Sequence, residues 1–326
     1  MIVRLSALGD VIHTIPAVTA IRRSRPGFAI GWAIEGAYRE LVEAVTPVDI
    51  VFPVELRKWR RRPFSAEAWT GLFGVLRQMR RFVRGCTSID FQGLLKSAAL
   101  VRISGAKERI GFDPDFVRER ASSWFTNRRI AVDPDSHVIE MNMRLAEAVG
   151  AEPIDPLAVD FSHYPVDRSG FLWVQVSDGP VLLLPGASVR DKCWPASRYA
   201  ALAERIRADG YSVLVGWGPG EEDLARKIAE QTPAVRVAPP TDLRELAYLI
   251  QNSSCVVGSD TGPLHLAAAL RKPVVGLYGP TNPHRNGPWK QIHRCVEVWS
   301  RSRRMDEIEP EDVMDKVRDV LADRPV

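Results

Sequence analysis

Short apolar runs alternate along this chain with segments whose apolar residues recur every three or four positions. Ile2-Val3-Arg4-Leu5 reads as a strand. After it Val11, Ile12, Ile15, Val18 and Ile21 fall on one side of a helix that Pro26-Gly27 stops. Strands follow at residues 28–34, 50–54, 87–91 and 109–112. Helices are expected over 38–45, from Pro63 and Ser65 to about Arg81, over 94–101 and over 138–149. Residues 151–168 lose this rhythm and carry Pro153, Pro156 and Pro165, which marks a linker. Strands then restart at 181–184, 212–215, 235–237, 255–257 and 273–277. Between them run helices over 198–208, 223–229 and 243–251, and another opens at Thr261. Strands alternating with helices predict parallel sheets covered on both faces. Two such series predict two doubly wound α/β domains, residues 1–164 and 165–305, facing each other across a cleft. A final segment, 306–326, holds a helix outside the alternation that is expected to pack back on the first domain.

Ligands of open parallel sheets sit at the carboxyl ends of strands, so the loops that follow strands are the informative ones. In Ser6-Ala7-Leu8-Gly9-Asp10, directly after the first strand, Asp10 is either a general base or a plain helix cap. His13, three residues on, touches Asp10 or packs, and packing is the commoner outcome. In the loop Pro185–Pro195, Gly186 and Ser188 offer hydrogen-bond donors and Lys192 a mobile cation, a set that suits a diphosphate; the alternative is an exposed polar loop. Gly216-Trp217-Gly218-Pro219-Gly220-Glu221-Glu222 departs from a dinucleotide fingerprint because Glu221 stands where the last glycine belongs, which argues against a nicotinamide. A carboxylate here binds ribose hydroxyls or serves only as a helix-start acid. Ser259-Asp260-Thr261-Gly262, between strand and helix, would aim free backbone N–H groups outward as a phosphate seat. Asp260 or Thr261 could cap that helix, with His265 a turn further on reaching the same anion or packing.

Composition narrows the class. With 45% apolar and 26% charged residues the chain is globular, and no apolar run approaches the roughly 18 residues of a membrane span. The four cysteines lie far apart with no CxxC pair, and no leader precedes the first strand. Both features lead us to expect a reducing cytoplasm without a zinc site. Net charge is only +4, yet the positives cluster. Arg57, Lys58, Arg60, Arg61 and Arg62 surround Trp59, and Arg77, Arg80, Arg81 and Arg84 continue along the next helix. Nucleic acid is disfavoured by the low net charge and the absence of a nucleic-acid motif. An anionic membrane surface, an acidic glycolipid or a merely solvated face remain.

Three of these stretches together resemble glycosyltransferase family 9, the ADP-heptose:lipopolysaccharide heptosyltransferases: Ser6–Thr14, Asp191-Lys192-Cys193-Trp194-Pro195 and Ser259–His265. The resemblance implies the GT-B fold, two Rossmann-like domains with the active site between them. It implies an inverting transfer of L-glycero-D-manno-heptose from ADP-heptose to a Kdo residue of the lipid A precursor. Asp10 would be the catalytic base, and Lys192 would act at the donor diphosphate. Ser188, Glu221 or Glu222, Asp260, Thr261, Gly262 and His265 would bind the donor. Ser6, Gly9, His13, the basic residues of 57–62 and Arg118 would face the acceptor. No metal or cofactor is expected, since no DxD pair stands in a suitable loop and Lys192 can replace a cation. Ala187 stands where the family often has a hydroxyl residue. The expected working place is the cytoplasmic face of the inner membrane, in peripheral contact with its anionic surface. Rival readings are a GT-B enzyme for another nucleotide-sugar or acceptor, a nucleotide-sugar epimerase, and a non-catalytic nucleotide-sugar binding protein.

Overall fold

The computed structural model describes residues 1–56, 59, 65–169, 179–289 and 295–322. It divides after His163 into two units, Met1–His163 and Tyr164–Val326. The expected basic loop at Arg57, Lys58, Arg60, Arg61 and Arg62 lies outside the described residues.

The first unit is built on β1 (Ile2–Val3), β2 (Gly31–Glu35), β3 (Ile50–Val54), β4 (Thr87–Asp90), β5 (Glu108–Phe112) and β6 (Arg128–Ile130). All pair in parallel, in the order β3-β2-β1-β4-β5-β6. Its helices are α1 (Leu8–Ser24), α2 (Arg39–Val45), α3 (Ala66–Val83), α4 (Leu95–Ile103) and α5 (Val138–Glu147). The second unit has β7 (Val181–Leu184), β8 (Val213–Val215), β9 (Arg236–Val237), β10 (Cys255–Ser259), β11 (Val274–Tyr278) and β12 (Cys295–Trp299). These are again all parallel, in the order β12-β11-β10-β7-β8-β9. With them come α6 (Ala196–Ala208), α7 (Glu222–Gln231), α8 (Leu243–Gln251), α9 (Gly262–Ala269), α10 (Pro283–Asn286) and α11 (Pro310–Ala322). Counted within each unit, both sheets follow the order 3-2-1-4-5-6. That order reverses direction between the first and fourth strands, and there the carboxyl ends open a crevice for a ligand.

Side-chain alternation along the strands separates two layers. Val3 and Leu5 share a core with Ala33, Phe52 and Val54 and with Met79, Leu100 and Val101 of α3 and α4. Arg4, between Val3 and Leu5, therefore points to the opposite side of the sheet. There α1 is buried almost all round from Leu8 to Ile21, not on one face only, because α5 covers its outer side. Asn142 of α5 donates to the His13 carbonyl at 3.0 Å.

Three elements differ from the sequence expectation. Strands β6 and β12 were not anticipated; each is the outer strand of its sheet beyond the fifth, and their sequences, Arg-Arg-Ile and Cys-Val-Glu-Val-Trp, lack the continuous apolar run of a strand buried on both faces. The C-terminal helix α11, expected against the first unit, lies in the core of the second. Val313, Met314, Val317, Val320 and Leu321 fill the second unit's own core beside Val181, Leu183, Val257 and Val275. Polar contacts hold it there: Trp194 donates to the Ile308 carbonyl at 3.0 Å, and Arg318 pairs with Asp209 at 2.7 Å. The physical reason is that its apolar stripe completes the layer begun by α6 over β7, β10, β11 and β12.

Candidate active site

In the first unit the switch point lies between β1 and β4, and two loops meet there. The loop after β1 enters α1 with Asp10 as its third residue. The Asp10 carboxylate turns back to accept from the Ala7 N–H at 3.0 Å through Oδ2, which satisfies one orphan donor of the helix start. Its Oδ1 pairs with the Arg4 guanidinium at 2.6 Å. The two partners differ in burial: the Arg4 side chain is 9% exposed and that of Asp10 45%. Arg4 also donates to the Phe91 carbonyl at the end of β4, so a single cation ties both loops together. Asp10 is thus a helix-start acid and, at the same time, a carboxylate presented to solvent on a fixed mount.

The loop after β4 supplies groups the sequence reading did not single out. Gln92 accepts from the Leu5 N–H at 3.0 Å and donates to the Ser6 carbonyl at 3.1 Å. Lys96, in the first turn of α4, donates to the Ser6 hydroxyl at 3.2 Å. Asp90 shapes this loop by accepting from the Gln92 and Gly93 N–H groups at 2.9 and 3.1 Å. Burial pushes its carboxyl up to about 6, against the opposing pull of Gln92, Ser97, Gly93 and the Arg4 charge. Gly93 is needed as glycine: its φ is +66°, and a Cβ there would run into Val117. On the other side of Arg118, Glu119 accepts from the Leu95 N–H at 2.6 Å. Arg118 is held between these two contacts, exposed, beside the Gln92–Lys96 loop. Gly9 is buried in the first turn of α1. His13 is buried too, and its ring packs edge-on against His137 with centroids 5.6 Å apart, so it takes the packing role.

In the second unit the switch point lies between β7 and β10. Lys192, in the short turn Arg190–Lys192 after β7, reaches across to Asp260 at the end of β10, with Nζ 2.6 Å from Oδ2. The other carboxylate oxygen faces His265 Nε2 at 3.0 Å. Burial alone would raise the Asp260 carboxyl, but the His265 contact and the Lys192 charge outweigh it and hold it at about 2. Asp260 and His265 therefore form a buried base under Lys192, which keeps 24% exposure. Thr261 is the N-cap of α9, yet its hydroxyl makes no capping bond, and both Asp260 oxygens are taken. The start of α9, with Gly262 as its first residue, thus keeps the dipole of a helix N-terminus without the expected side-chain cap. Ser188 stands exposed on the neighbouring loop.

Glu221 and Glu222 separate cleanly. Glu221 accepts from the Gly218 N–H at 2.9 Å and lies over Gly186, where any Cβ would collide with its carboxylate. That close approach brings the loops after β7 and β8 together. Glu222 instead pairs with Arg226 at 2.5 Å on the outer side of α7. Among the described residues no group of three or more His, Cys, Asp or Glu side chains is placed to hold a metal ion.

The first unit presents a half-exposed carboxylate at its switch point and the second a cation at a helix start, each a kind of group that sugar transfer from a diphosphate uses. The family described as Glycosyltransferase family 9 (heptosyltransferase) matches residues 76–318. The chain belongs to glycosyltransferase family 9. Its curated relatives in the family include lipopolysaccharide heptosyltransferase 1 of Pseudomonas aeruginosa, 33% identical over 305 residues, which cover 90% of this chain and 82% of that one. The Salmonella typhimurium protein of the same name is 34% identical over 87% of this chain and 89% of its own length. Among solved structures, the Escherichia coli heptosyltransferase WaaC with ADP matches with a TM-score of 0.82 at 27% identity, over 98% of both chains. The same enzyme with ADP-2-deoxy-2-fluoro heptose matches at 0.77 over 97% of this chain and 98% of that one. This family 9 chain is a glycosyltransferase, and its two doubly wound units are those of the GT-B fold.

Proposed function

We propose that this family 9 enzyme transfers L-glycero-D-manno-heptose from ADP-heptose to a Kdo residue of the lipid A precursor, with inversion, in lipopolysaccharide inner-core synthesis. The observation that carries the reading is the Asp10 carboxylate, oriented by Arg4 and the Ala7 N–H while still 45% exposed. Such a group can take a proton from an incoming hydroxyl without leaving its mount. The names of the relatives, lipopolysaccharide heptosyltransferase 1, support heptose transfer. The WaaC structures with ADP and a fluorinated ADP-heptose support the donor.

In this reading the acceptor belongs to the first unit and the donor to the second. The Kdo hydroxyl attacks the anomeric carbon, Asp10 takes its proton, and the bond from that carbon to the diphosphate oxygen breaks. ADP leaves with the electron pair, its charge met by the Lys192 ammonium and the start of α9. Glu221 receives the ribose hydroxyls. Lys96, with Ser6 and Arg118, meets the anionic acceptor, joined by the basic residues of 57–62. Lys192 supplies the positive charge, so the reaction is written without a metal or cofactor. The enzyme works on the cytoplasmic side of the inner membrane, in peripheral contact with its anionic surface. Among the described residues no helix is long and apolar enough to cross a membrane.

The test is ADP release from ADP-heptose with and without Kdo-lipid A. Release that needs the acceptor, and falls about 10²-fold or more in Asp10→Ala with donor binding retained, is the expected result. Donor binding without release for any Kdo acceptor overturns the acceptor assignment. Normal turnover in Asp10→Ala removes the base.

A further inference from the structure

Helix α3 carries two faces of different character. Its inner face is ordinary: Met79 and Val83 are buried, and Val75, Leu76 and Phe82 pack against the same core as Phe52 and Leu100. Its outer face is not. At 3.6 residues per turn, Trp69, Phe73, Arg77, Arg80 and Arg81 project within an arc of about 120°, and Arg84 follows just past the helix end. Trp69 is 50% exposed and Phe73 62%, their rings tilted against each other with centroids 5.9 Å apart. The four arginines are exposed as well, and Arg80 donates through Nε to the Ile103 carbonyl at 2.9 Å. The face is divided along its length, aromatic in the first half and cationic in the second, over about 22 Å from residue 69 to residue 84. Residues 66–84 hold four arginines and one acid, Glu67.

A tryptophan and a phenylalanine half-exposed side by side, one turn apart, make an apolar patch on the helix surface. The pattern is that of a helix lying in a membrane interface. Aromatic rings enter the boundary between headgroups and acyl chains, while arginines keep their stems along it and their charges on anionic headgroups. Topology gives the face a purpose. A crossover helix runs back against its strands, so the first turns of α3, with Trp69 and Phe73, lie at the carboxyl edge of the sheet that also holds Asp10 and Lys96.

We propose that the outer face of α3 is a docking surface for an anionic lipid bilayer, with Trp69 and Phe73 inserted and Arg77, Arg81 and Arg84 on the headgroups. The inference deepens the membrane contact of the proposed function, but it assigns that contact to an apolar insertion by this helix. Binding to vesicles reads it without any sugar transfer.

The full chain is sedimented with vesicles of phosphatidylcholine alone or mixed with phosphatidylglycerol. The expected result is binding to the mixed vesicles only. Trp69→Ser with Phe73→Ser should weaken it about tenfold, and Arg77→Gln with Arg81→Gln about as much. Only the arginine pair should flatten the salt dependence. Circular dichroism and the melting temperature should stay unchanged, since these side chains are outside the core. A serine pair that binds as wild type overturns the proposal, and retained dependence on the arginines would then assign the face to a soluble polyanion such as an acidic protein. A second readout uses ADP release. The serine pair should lose activity on Kdo-lipid A in vesicles and keep it on a deacylated Kdo acceptor. An equal loss on both overturns a docking role. Absence of ADP release in the wild type, with vesicle binding intact, sinks the heptosyl reading and leaves the docking surface standing.

Discussion

The two units share one strand order and put a charged pair at the same point of it, but with opposite polarity. In the first unit the cation is buried and the carboxylate shown: Arg4 is 9% exposed and Asp10 45%. In the second the carboxylate is buried and the cation shown: Asp260 is 7% exposed and Lys192 24%. The buried member fixes the other and keeps its charge balanced, while the exposed member stays open to a substrate. One fold can therefore present a proton acceptor or an anion stabiliser, depending on which partner sits inside. A transfer reaction that creates a proton on one substrate and a diphosphate charge on the other needs one of each.

The largest expected effects come from removing the exposed members. Asp10→Asn should lower kcat about 10²-fold or more and leave the donor dissociation constant unchanged. Lys192→Met should lower kcat about 10²- to 10³-fold and also weaken ADP binding, because the charge it meets is present in both product and transition state. Steady-state kinetics combined with calorimetric ADP titration separates the two. If Asp10→Asn weakened ADP binding and Lys192→Met did not, the polarity of the comparison would be reversed.

Titrating one buried carboxylate in each unit should appear in stability, with opposite signs. Asp260 has a folded value of about 2 against a reference of 3.8. Its contribution is complete above about pH 4 and is lost as pH falls toward 2, an effect of about 2 kcal/mol. Asp90 in the first unit is raised to about 6 from 3.8 by burial. The folded state then holds its proton more tightly than the unfolded chain, so stability falls as pH rises from about 4 to 6, by at most about 3 kcal/mol. Denaturant titrations across pH 2–7 check this pair. Asp260→Asn should flatten the acid limb and Asp90→Asn the limb between 4 and 6. Unchanged slopes in both variants would mean that neither carboxylate is coupled to folding.

Much of this site was legible in the sequence, for a local reason. Asp10, Lys192 and Asp260 each stand in a polar loop directly after a short apolar run, which is where a parallel sheet exposes its loops. What was not legible depends on which strands become neighbours. Arg4 looked like an ordinary strand residue, and Gln92 and Lys96 like the start of a helix. Their roles arise only because β4 pairs with β1 across more than 80 residues of chain. The different placements of Glu221 and Glu222 show only with Gly186, which lies in another loop. That His265 turns its Nε2 onto Asp260 likewise shows only in the fold. The outer strands β6 and β12 escaped because edge positions relax the demand for continuous apolar sequence. Helix α11 escaped because an apolar stripe shows that a helix is covered but not what covers it.

The smallest expected effect tests the mount itself. Arg4 holds Asp10 from one side and the Ala7 N–H holds it from the other, while the guanidinium also reaches the Phe91 carbonyl. A lysine at this position keeps the charge but not the fork, so it can serve one of these partners at a time. Arg4→Lys should lower kcat about threefold and Arg4→Met about tenfold, both with unchanged KM for the donor. A general packing defect would instead lower the melting temperature and affect donor and acceptor parameters together, and lysine would not rescue it. If Arg4→Met turned over as fast as wild type, the Ala7 N–H alone would suffice to aim Asp10. The buried cation of the first unit would then be a structural tie between β1 and β4, and the likeness between the two charged pairs would be one of position only.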